Sequence, residues 1–355
     1  MSYYILAIDP GSTSTKAALY CDKQPLFDLM IEHKACDLEC YDSITDQFEW
    51  RQDLILYHLE QEGFDPSMLS AVIGRGGITK PVDGGVYAIN DKLWHDTKYA
   101  AMDHACNLGV LIARAIADHV GIPAYTADPV VLDQMQPIAR ISGHPLIPRT
   151  SIFHALNSRA VARIHARNMG KSIEQLNLII AHLGGGVTVS LHSKGRVLDT
   201  YCGMGGDGAF SPERAGRVAA NTLIDICYSG EYSQREVHKM IVGEGGFVAH
   251  LGTNSMIEVM QMIEAGDQKA QLIVDAFIYN VAKDIGALAT SVSGEVDGII
   301  ITGGIAHNQY ITNEIESRCK FIAPIYVHAG ESELESLAHN ALSVLTGEVK
   351  AKEYV

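Results

Sequence analysis

An internal repeat at about half the length of the chain constrains its fold more than any other feature. Residues 5–19, ILAIDPGSTSTKAAL, and residues 178–192, LIIAHLGGGVTVSLH, each show an apolar strand, one polar residue, a glycine-containing turn and a second strand. Asp9 in the first segment aligns with His182 in the second, and the chain has 355 residues in all. Similarity at half-length indicates a duplicated domain, each copy of which opens with a glycine-turn hairpin.

Helical patterns alternate with short apolar strands after both hairpins. In the first half, residues 47–63 are amphipathic, and a later long helix is expected to end at Gly121. In the second half we expect helices over 212–230 and 267–292. This alternation predicts an α/β fold with open sheets, divided near residue 150. Two such halves have a cleft between them, which is the default place for a ligand.

The composition and net charge of the chain exclude some classes of binding partner. Hydrophobic residues make up 47% of the chain and charged residues 19%, as in soluble globular proteins, and no apolar run is long enough for a membrane span. The net charge of −15 argues against partners such as nucleic acid or an anionic membrane, and it implies that any anion site is locally basic. Seven scattered cysteines and the lack of a basic leader region predict reduced thiols in a cytoplasmic protein.

Three glycine turns follow apolar strands, at Gly11, at 184–186 and at 303–304. A polar surface turn is the simplest explanation of any one of them. Three turns in one register, two of them related by duplication, instead predict a nucleotide site. In the first turn, Gly11 lets the backbone approach a phosphate, the hydroxyls and amides that follow donate hydrogen bonds, and Lys16 adds a positive charge. The second turn would bind phosphates from the opposite side, and the third would lie along the adenosine.

Seven segments resemble the acetokinase family, which belongs to the superfamily of actin, sugar kinases and heat-shock ATPases. They occur in the family's order and span nearly the whole chain, and STSTK, FHALN and SPERAG are together specific. Within the family the chain is most similar to the branch that phosphorylates butyrate, because Gly185 and Arg75 stand where the acetate branch tends to have Asn and His. The segments are IDPGSTSTK (8–16), GRGGITKPVDGGVY (74–87), ADPVVLDQM (127–135), SGHPLIPRTSIFHALNSRAVA (142–162), AHLGGGV (181–187), GDGAFSPERAG (206–216) and ITGGIAHN (301–308).

The resemblance implies two ribonuclease H-like domains of the actin-like ATPase type with a central cleft. It places an N-terminal domain at 1–150, to which the C-terminal helix at about 341–355 returns. It places a C-terminal domain, with the adenosine-binding loop, at 151–340. It also implies a homo-oligomer, a dimer or higher, formed through the second half of the chain.

The activity implied is reversible phosphorylation of a short-chain fatty acid by ATP, which gives ADP and an acyl phosphate by direct in-line transfer. Butyrate is the first expectation, and acetate, propionate or a branched-chain acid is the alternative. A carboxylate acceptor is already ionised at neutral pH and needs no general base, so the site should be rich in cations. An alternative of another class is a non-catalytic nucleotide-dependent clamp, for whose partner-binding domain 355 residues leave no room.

Four cationic or imidazole side chains are implied for the transferring phosphoryl group, with Arg214 on its equatorial oxygens. From its local sequence alone, Arg214 would be a helix-surface residue and His154 a core histidine. The four are Arg214, His154, Arg75 and His182. The residues expected to contact ATP are Asp9, Gly11, Ser12, Ser14, Lys16, His182, Gly184, Gly185, Gly186, Gly303, Gly304, His307 and Asn308.

Carboxylates are expected to hold Mg²⁺, mainly through water, because this ion dehydrates reluctantly. Asp128 matches the family's metal-linked aspartate, and its alternative role is that of a turn residue before Pro129. Glu333 matches the second acidic residue, although Glu331 could serve instead. Asp207 is a further carboxylate in this region, and its alternative role is only to shape a turn.

Asp9 departs from the family's pattern, which has Asn at this position. An ionised carboxylate cannot donate a hydrogen bond to a phosphate oxygen. We therefore expect Asp9 to face magnesium, water or Lys16, and we add it to the metal-linked residues.

Overall fold

The computed structural model describes residues 2–355. The chain forms two compact units. The first is built from the residues up to Leu132 together with Ser332–Val355, and the second from Asp133–Glu331. The first unit is therefore discontinuous in sequence, and the second is a single stretch of chain.

Residues 133–150 pack within the second unit, although the sequence suggested a division near residue 150. The backbone amide of Gln136 donates to the carbonyl of Leu198 at 3.0 Å. Arg149 Nη1 donates to Asp199 Oδ1 at 2.9 Å. These bonds attach the segment to the sheet that follows it in the chain.

The sheet of the first unit is mixed and, within residues 2–355, has six strands in the order β3-β2-β1-β4-β6-β5. The first three strands form an antiparallel meander, β4 and β6 continue the sheet parallel to β1, and β5 is antiparallel to β6. The strands are β1 (Tyr4–Pro10), β2 (Ser14–Cys21), β3 (Gln24–Glu32), β4 (Ala71–Arg75), β5 (Val86–Ala88) and β6 (Ala124–Ala127).

Helices cover the first sheet. The expected helix over 47–63 is present, and the later long helix ends at Gly121, whose φ of +81° suits glycine and whose amide donates to the Ala117 carbonyl at 2.8 Å. The helices of this part of the chain are α1 (Ala35–Leu38), α2 (Phe48–Gln61), α3 (Asp91–Lys98) and α4 (Leu108–Val120).

The sheet of the second unit repeats the arrangement of the first. Strands β7, β8 and β9 form an antiparallel meander, and β10 and β11 add parallel strands beyond β7, in the order β11-β10-β7-β8-β9. The relation of β10 to β7 thus matches that of β4 to β1. The strands are β7 (Asn177–Leu183), β8 (Val187–Ser193), β9 (Arg196–Thr200), β10 (Gly298–Gly303) and β11 (Ile325–Ala329).

Seven helices accompany this sheet within the described residues. The expected helix over 212–230 begins only at Ala220, because residues 212–219 form a loop around Arg214. The helices are α5 (Ala155–Asn168), α6 (Ala220–Tyr228), α7 (Gln234–Ile241), α8 (Gly246–Leu251), α9 (Met256–Glu264), α10 (Gln268–Thr290) and α11 (Gln309–Cys319).

Helix α12 (Glu333–Leu345) returns to the first unit, where it packs against β1 and β4. Its buried face includes Leu337, Ala338 and Ala341. No helix within residues 2–355 is both long enough and apolar enough to cross a bilayer. Two sheets of equivalent topology, each opening with the hairpin that the repeat predicted, confirm a duplicated α/β fold of the ribonuclease H-like, actin-like ATPase type.

Candidate active site

The turn between β1 and β2 brings together the glycine and hydroxyl residues that the sequence singled out. The amide of Gly11 donates to the carbonyl of Ser14 at 2.8 Å, which closes the turn. Ser12 is exposed at its tip. Asp9 and Lys16 lie directly opposite each other on β1 and β2, where the two strands enter the turn.

Arg51 lies beneath this turn, and sequence reasoning missed it. Its side chain is fully buried on α2. Its guanidinium donates to the carbonyls of Gly11 at 2.8 Å and Ser14 at 3.1 Å. A signal was present, because Arg51 shares a four-residue spacing with Ile55 and Leu59, which places it on the apolar face of the helix.

Arg75 at the end of β4 joins two carboxylates of the first unit. Its Nη1 donates to Asp9 Oδ1 at 3.0 Å and to Glu333 Oε2 at 2.9 Å. Burial by itself would lower the pKa of Arg75. The negative charges of Glu333 and Asp9 raise it by more, so the net shift is upward and the side chain stays charged. Asp9 thus faces Arg75, and no ion pair between Asp9 and Lys16 occurs among residues 2–355.

Asp128 is fully buried in the turn that follows β6, with φ of +41°. Its Oδ1 accepts from the amide of Gly85 at 2.8 Å, and its own amide donates to the Gly85 carbonyl at 3.0 Å. These bonds fit the role of a turn residue for Asp128.

The carboxylates of Asp9 and Glu333 are suitable ligands for a magnesium ion. Mg²⁺ keeps several waters and takes one or two protein carboxylates together with phosphate oxygens. The structure shows no group of three or more carboxylates, imidazoles or thiols placed to hold a metal within residues 2–355. Asp9 and Glu333 converge on one nitrogen of Arg75 and supply two oxygen donors, so the residues fit a magnesium ion held through water.

His182 is the penultimate residue of β7 and is almost fully buried in the second unit. Asn157 Nδ2 lies 2.8 Å from His182 Nδ1 and 3.2 Å from Thr302 Oγ1. In this amide orientation the Asn157 nitrogen is the donor, so His182 Nδ1 accepts and the ring proton lies on Nε2. His182 Nε2 lies 3.3 Å from Glu331 Oε1. Glu331 thus contacts His182 in the second unit, whereas Glu333 belongs to the first unit.

His154 precedes α5, and its ring stacks on that of His182. The ring centroids are 3.8 Å apart and the planes differ by 10°. His154 Nδ1 lies 2.9 Å from Thr188 Oγ1 on β8. The FHALN motif therefore places both His154 and Asn157 against His182.

The guanidinium of Arg214 lies on the second glycine turn. Its Nη1 donates to the carbonyl of Gly203 at 2.9 Å. A Cβ on Gly186 would stand 2.4 Å from Arg214 Nη1, so a glycine is required for this approach. Ser211 Oγ donates to the carbonyl of Gly185 at 2.7 Å, which fastens the SPERAG loop to the turn, and the amide of Gly184 donates to the Gly186 carbonyl at 3.1 Å.

Two aspartates shape the loop that carries Arg214. Asp207 Oδ2 accepts from Arg149 Nε at 3.0 Å, and its Oδ1 accepts from the amide of Cys202. Buried Asp284 accepts from the amide of Ala209 at 2.7 Å and from Arg217 Nη2 at 2.8 Å. Burial raises the pKa of Asp284, although Arg217 opposes the shift. The contacts of Asp207 fit its role as a turn-shaping residue.

The third glycine turn follows β10. Gly303 has φ of +91°, and a Cβ there would lie 2.3 Å from the carbonyl oxygen of Leu183, so only glycine fits. Residues Gly304–His307 form a short 3₁₀ turn, in which Gly304 and His307 are exposed. Asn308 caps α11 by accepting from the amide of Ile311 at 3.2 Å. Because β10 pairs with β7, the turns at 184–186 and 303–304 lie at the same edge of one sheet.

Solved structures of two carboxylate kinases share this fold. The acetate kinase of Porphyromonas gingivalis aligns with a TM-score of 0.80 and 17% identity, covering 97% of this chain and 100% of that one. A propionate kinase from Francisella tularensis aligns with a TM-score of 0.75 and 20% identity, covering 95% of this chain and 98% of that one. At these identities the likeness establishes the fold alone.

Sequence comparison places the chain more narrowly. It is 50% identical over 351 residues to a probable butyrate kinase of Bacteroides thetaiotaomicron, with 99% of both chains covered. It is 47% identical over 353 residues to butyrate kinase 1 of Clostridium acetobutylicum, again with 99% of both covered. The family model described as the acetokinase family matches residues 145–324. The chain therefore belongs to the acetokinase family.

Proposed function

We propose that this chain catalyses the reversible transfer of the γ-phosphoryl group of ATP to a short-chain fatty acid, with butyrate as the substrate. The observation that carries the proposal is the similarity over 99% of the chain, at 47–50% identity, to proteins named butyrate kinase. The cations and glycine turns of the candidate site support the same chemistry.

The reaction needs no proton transfer. The bond between the γ-phosphorus and the bridging oxygen breaks, and its electron pair stays with ADP. A carboxylate oxygen of the fatty acid forms the new bond to phosphorus. Because the acceptor is ionised at neutral pH, catalysis depends on positioning and on neutralisation of charge rather than on a base.

Cationic or imidazole groups that we assign to this chemistry occur in both units. In the second unit, Arg214 would stabilise the equatorial oxygens of the transferring group, and His154 and His182 would donate hydrogen bonds to phosphate. In the first unit, Arg75 would offset negative charge. The glycine turns would present backbone amides to phosphates, and the turn at 303–304 would bind the adenosine.

Magnesium would be held through water by Asp9 and Glu333, with Asp128 as a further metal-linked candidate. When bound with ATP, the ion neutralises charge on the β- and γ-phosphates. Asp9 Oδ1 is already paired with Arg75 Nη1 at 3.0 Å, which supports a role for this carboxylate other than direct contact with phosphate.

A hydroxamate assay tests the proposal. Purified protein is incubated with ATP, magnesium, hydroxylamine and one acid at a time from acetate to hexanoate, with isobutyrate and isovalerate included. We expect the highest kcat/KM with butyrate and a graded fall on either side, since one methylene is worth roughly 1–3 kcal/mol in an apolar pocket. A maximum at acetate or at a branched acid would reassign the substrate. If no acid gives an acyl phosphate, the kinase proposal fails and the non-catalytic nucleotide-dependent clamp becomes the remaining hypothesis.

We also propose a homo-oligomer located in the cytoplasm. The second unit exposes a group of large apolar side chains on residues 138–147, which a subunit interface would cover. Light scattering after size exclusion would give the subunit number. All seven cysteines are free among the described residues, which suits a reducing compartment.

A further inference from the structure

Arg51 is a buried cation whose hydrogen-bond partners in the described structure are all uncharged. Nε donates to Gln47 Oε1 at 3.1 Å, and Nη2 donates to the same oxygen at 2.7 Å. Nη1 also donates to Thr15 Oγ1 at 3.0 Å. No carboxylate within residues 2–355 forms an ion pair with Arg51, although its side chain is inaccessible to solvent. Burying a charge without a counter-charge is costly, so such a residue is kept for a reason other than ordinary packing.

Arg51 also donates hydrogen bonds to backbone carbonyls of the β1–β2 turn. The carbonyls of Gly11 and Ser14 accept from Nη1, and the carbonyl of Ser12 accepts from Nη2 at 3.1 Å. The planar fork of one guanidinium therefore holds three carbonyls of a four-residue turn. A lysine has no such fork and could not hold all three in fixed directions.

The orientation of these carbonyls fixes the orientation of the neighbouring amides. In a trans peptide, the carbonyl of one residue and the amide of the next point in opposite directions. Because the carbonyls of Gly11 and Ser12 point at Arg51, the amides of Ser12 and Thr13 point away from it. Within residues 2–355 neither amide makes a hydrogen bond, and both residues are exposed. Two outward-facing amides above a buried positive charge are suitable donors to an anion.

The contacts behind Arg51 keep it in place. Thr15 Oγ1 accepts from Arg51 and lies 2.8 Å from His33 Nε2. The ring of His33 packs on Trp50, with centroids 4.8 Å apart. Burial, followed by the charge of Arg51, lowers the pKa of His33 to about 4, so the imidazole is neutral and adds no second positive charge beside Arg51.

We propose that Arg51 is a positioning residue that holds the β1–β2 turn in its phosphate-binding shape, and that its counter-charge is the polyphosphate of the bound nucleotide. This inference rests on the proposed use of ATP. Arg51 acts through the backbone of the turn and does not touch the phosphate itself.

The test compares the binding of ATP and AMP by titration calorimetry without any acid, so it does not depend on the acyl acceptor. The variants are Arg51→Met, which removes the charge and the fork, and Arg51→Lys, which keeps only the charge. Arg114→Met is the matched control, because Arg114 is bonded to Asp91 and Asp118 on the same unit and has no contact with the turn.

We expect Arg51→Met to weaken ATP binding by at least thirtyfold and AMP binding by less than threefold. Arg51→Lys should weaken ATP binding about fivefold, with the KM for ATP raised and the KM for the acid unchanged. Arg114→Met should resemble the wild type in both titrations.

The ratio of ATP to AMP affinity decides the outcome, because a loss of stability alone would not select between the two nucleotides. If Arg51→Met does not fold, as judged by circular dichroism, Arg51→Lys decides alone. A wild-type ratio in the folded Arg51 variants would overturn the proposal. Normal ATP binding by a wild-type protein that forms no acyl phosphate would overturn the proposed function and leave the role of Arg51 standing.

Discussion

The imidazole rings of His154 and His182 stack face to face, with centroids 3.8 Å apart. His182 is held at its Nδ1 by Asn157, and His154 is held at its Nδ1 by Thr188. Each ring is thus contacted at its Nδ1, and His182 Nε2 in addition lies 3.3 Å from Glu331 Oε1. The stacked pair lies near the carboxyl end of β7.

We predict that His154→Ala lowers turnover by about 10²-fold, as expected for the loss of one donor to a transferring group. The KM for ATP should change less than threefold, because His182 keeps its bond to Asn157. His154→Asn should recover part of the rate by restoring one donor. Steady-state kinetics with butyrate and ATP measure both values. A lower melting temperature with intact turnover would instead make His154 a core residue.

Arg214→Ala should lower kcat by about 10³-fold or more, as is found for other arginines that stabilise a transferring phosphoryl group. Arg214→Lys should not rescue it, because a point charge cannot bridge two oxygens as a guanidinium does. Calorimetric ATP binding should stay close to that of the wild type. A variant that keeps a tenth of normal turnover would exclude this role for Arg214.

Gly186→Ala should lower kcat by at least tenfold, although it changes no charged group. The added methyl would stand 2.4 Å from Arg214 Nη1 and would push the guanidinium off the turn. Gly286→Ala is the matched control, since a Cβ there meets no atom within 4 Å and alanine suits the interior of α10. Equal turnover of the two variants would show that Arg214 acts from another position.

His33 should make stability depend on pH. Burial and Arg51 lower its pKa to about 4, whereas an unfolded histidine titrates near 6.5. Between these values the unfolded chain binds more protons than the folded one, so the free energy of unfolding falls as the pH drops from 6.5 to 4, by up to about 3 kcal/mol.

Urea unfolding of the wild type and of His33→Gln between pH 7.5 and 4.5 measures this contribution. The variant should show a shallower loss of stability towards low pH. His119→Gln, at an exposed position on α4, is the control and should follow the wild type. Parallel profiles for all three proteins would contradict the prediction.

Local patterns predicted the elements that local forces determine. Alternation around Gly11 and around residues 184–186 predicted both hairpins, and Gly121 predicted a helix end, because these features depend on neighbouring residues. The helix expected over 212–230 begins at Ala220, so its start was predicted eight residues too early. Its first residues are held by long-range bonds, such as that between the amide of Ala215 and the carbonyl of Ile241, which a sequence pattern does not reveal.

What the sequence did not reveal about the candidate site were contacts between residues far apart in the chain. Arg75 and Glu333 are 258 residues apart and meet only because α12 returns to β1 and β4. Arg51 was overlooked because an arginine is normally assigned to the polar face of a helix. Its burial is explained by the three turn carbonyls that it binds, and they lie about 40 residues earlier in the chain.

The return of α12 to the first unit has a consequence for biosynthesis. A ribosome has completed all of Asp133–Glu331, which is the whole second unit, before it adds Glu333. The second unit can therefore fold as the chain emerges, while the earlier first unit waits for its last helix. Until that helix arrives, Arg75 has only one of its two carboxylates. Nascent chains arrested before residue 332 would therefore lack α12 and carry an incomplete ion-pair cluster in the first unit.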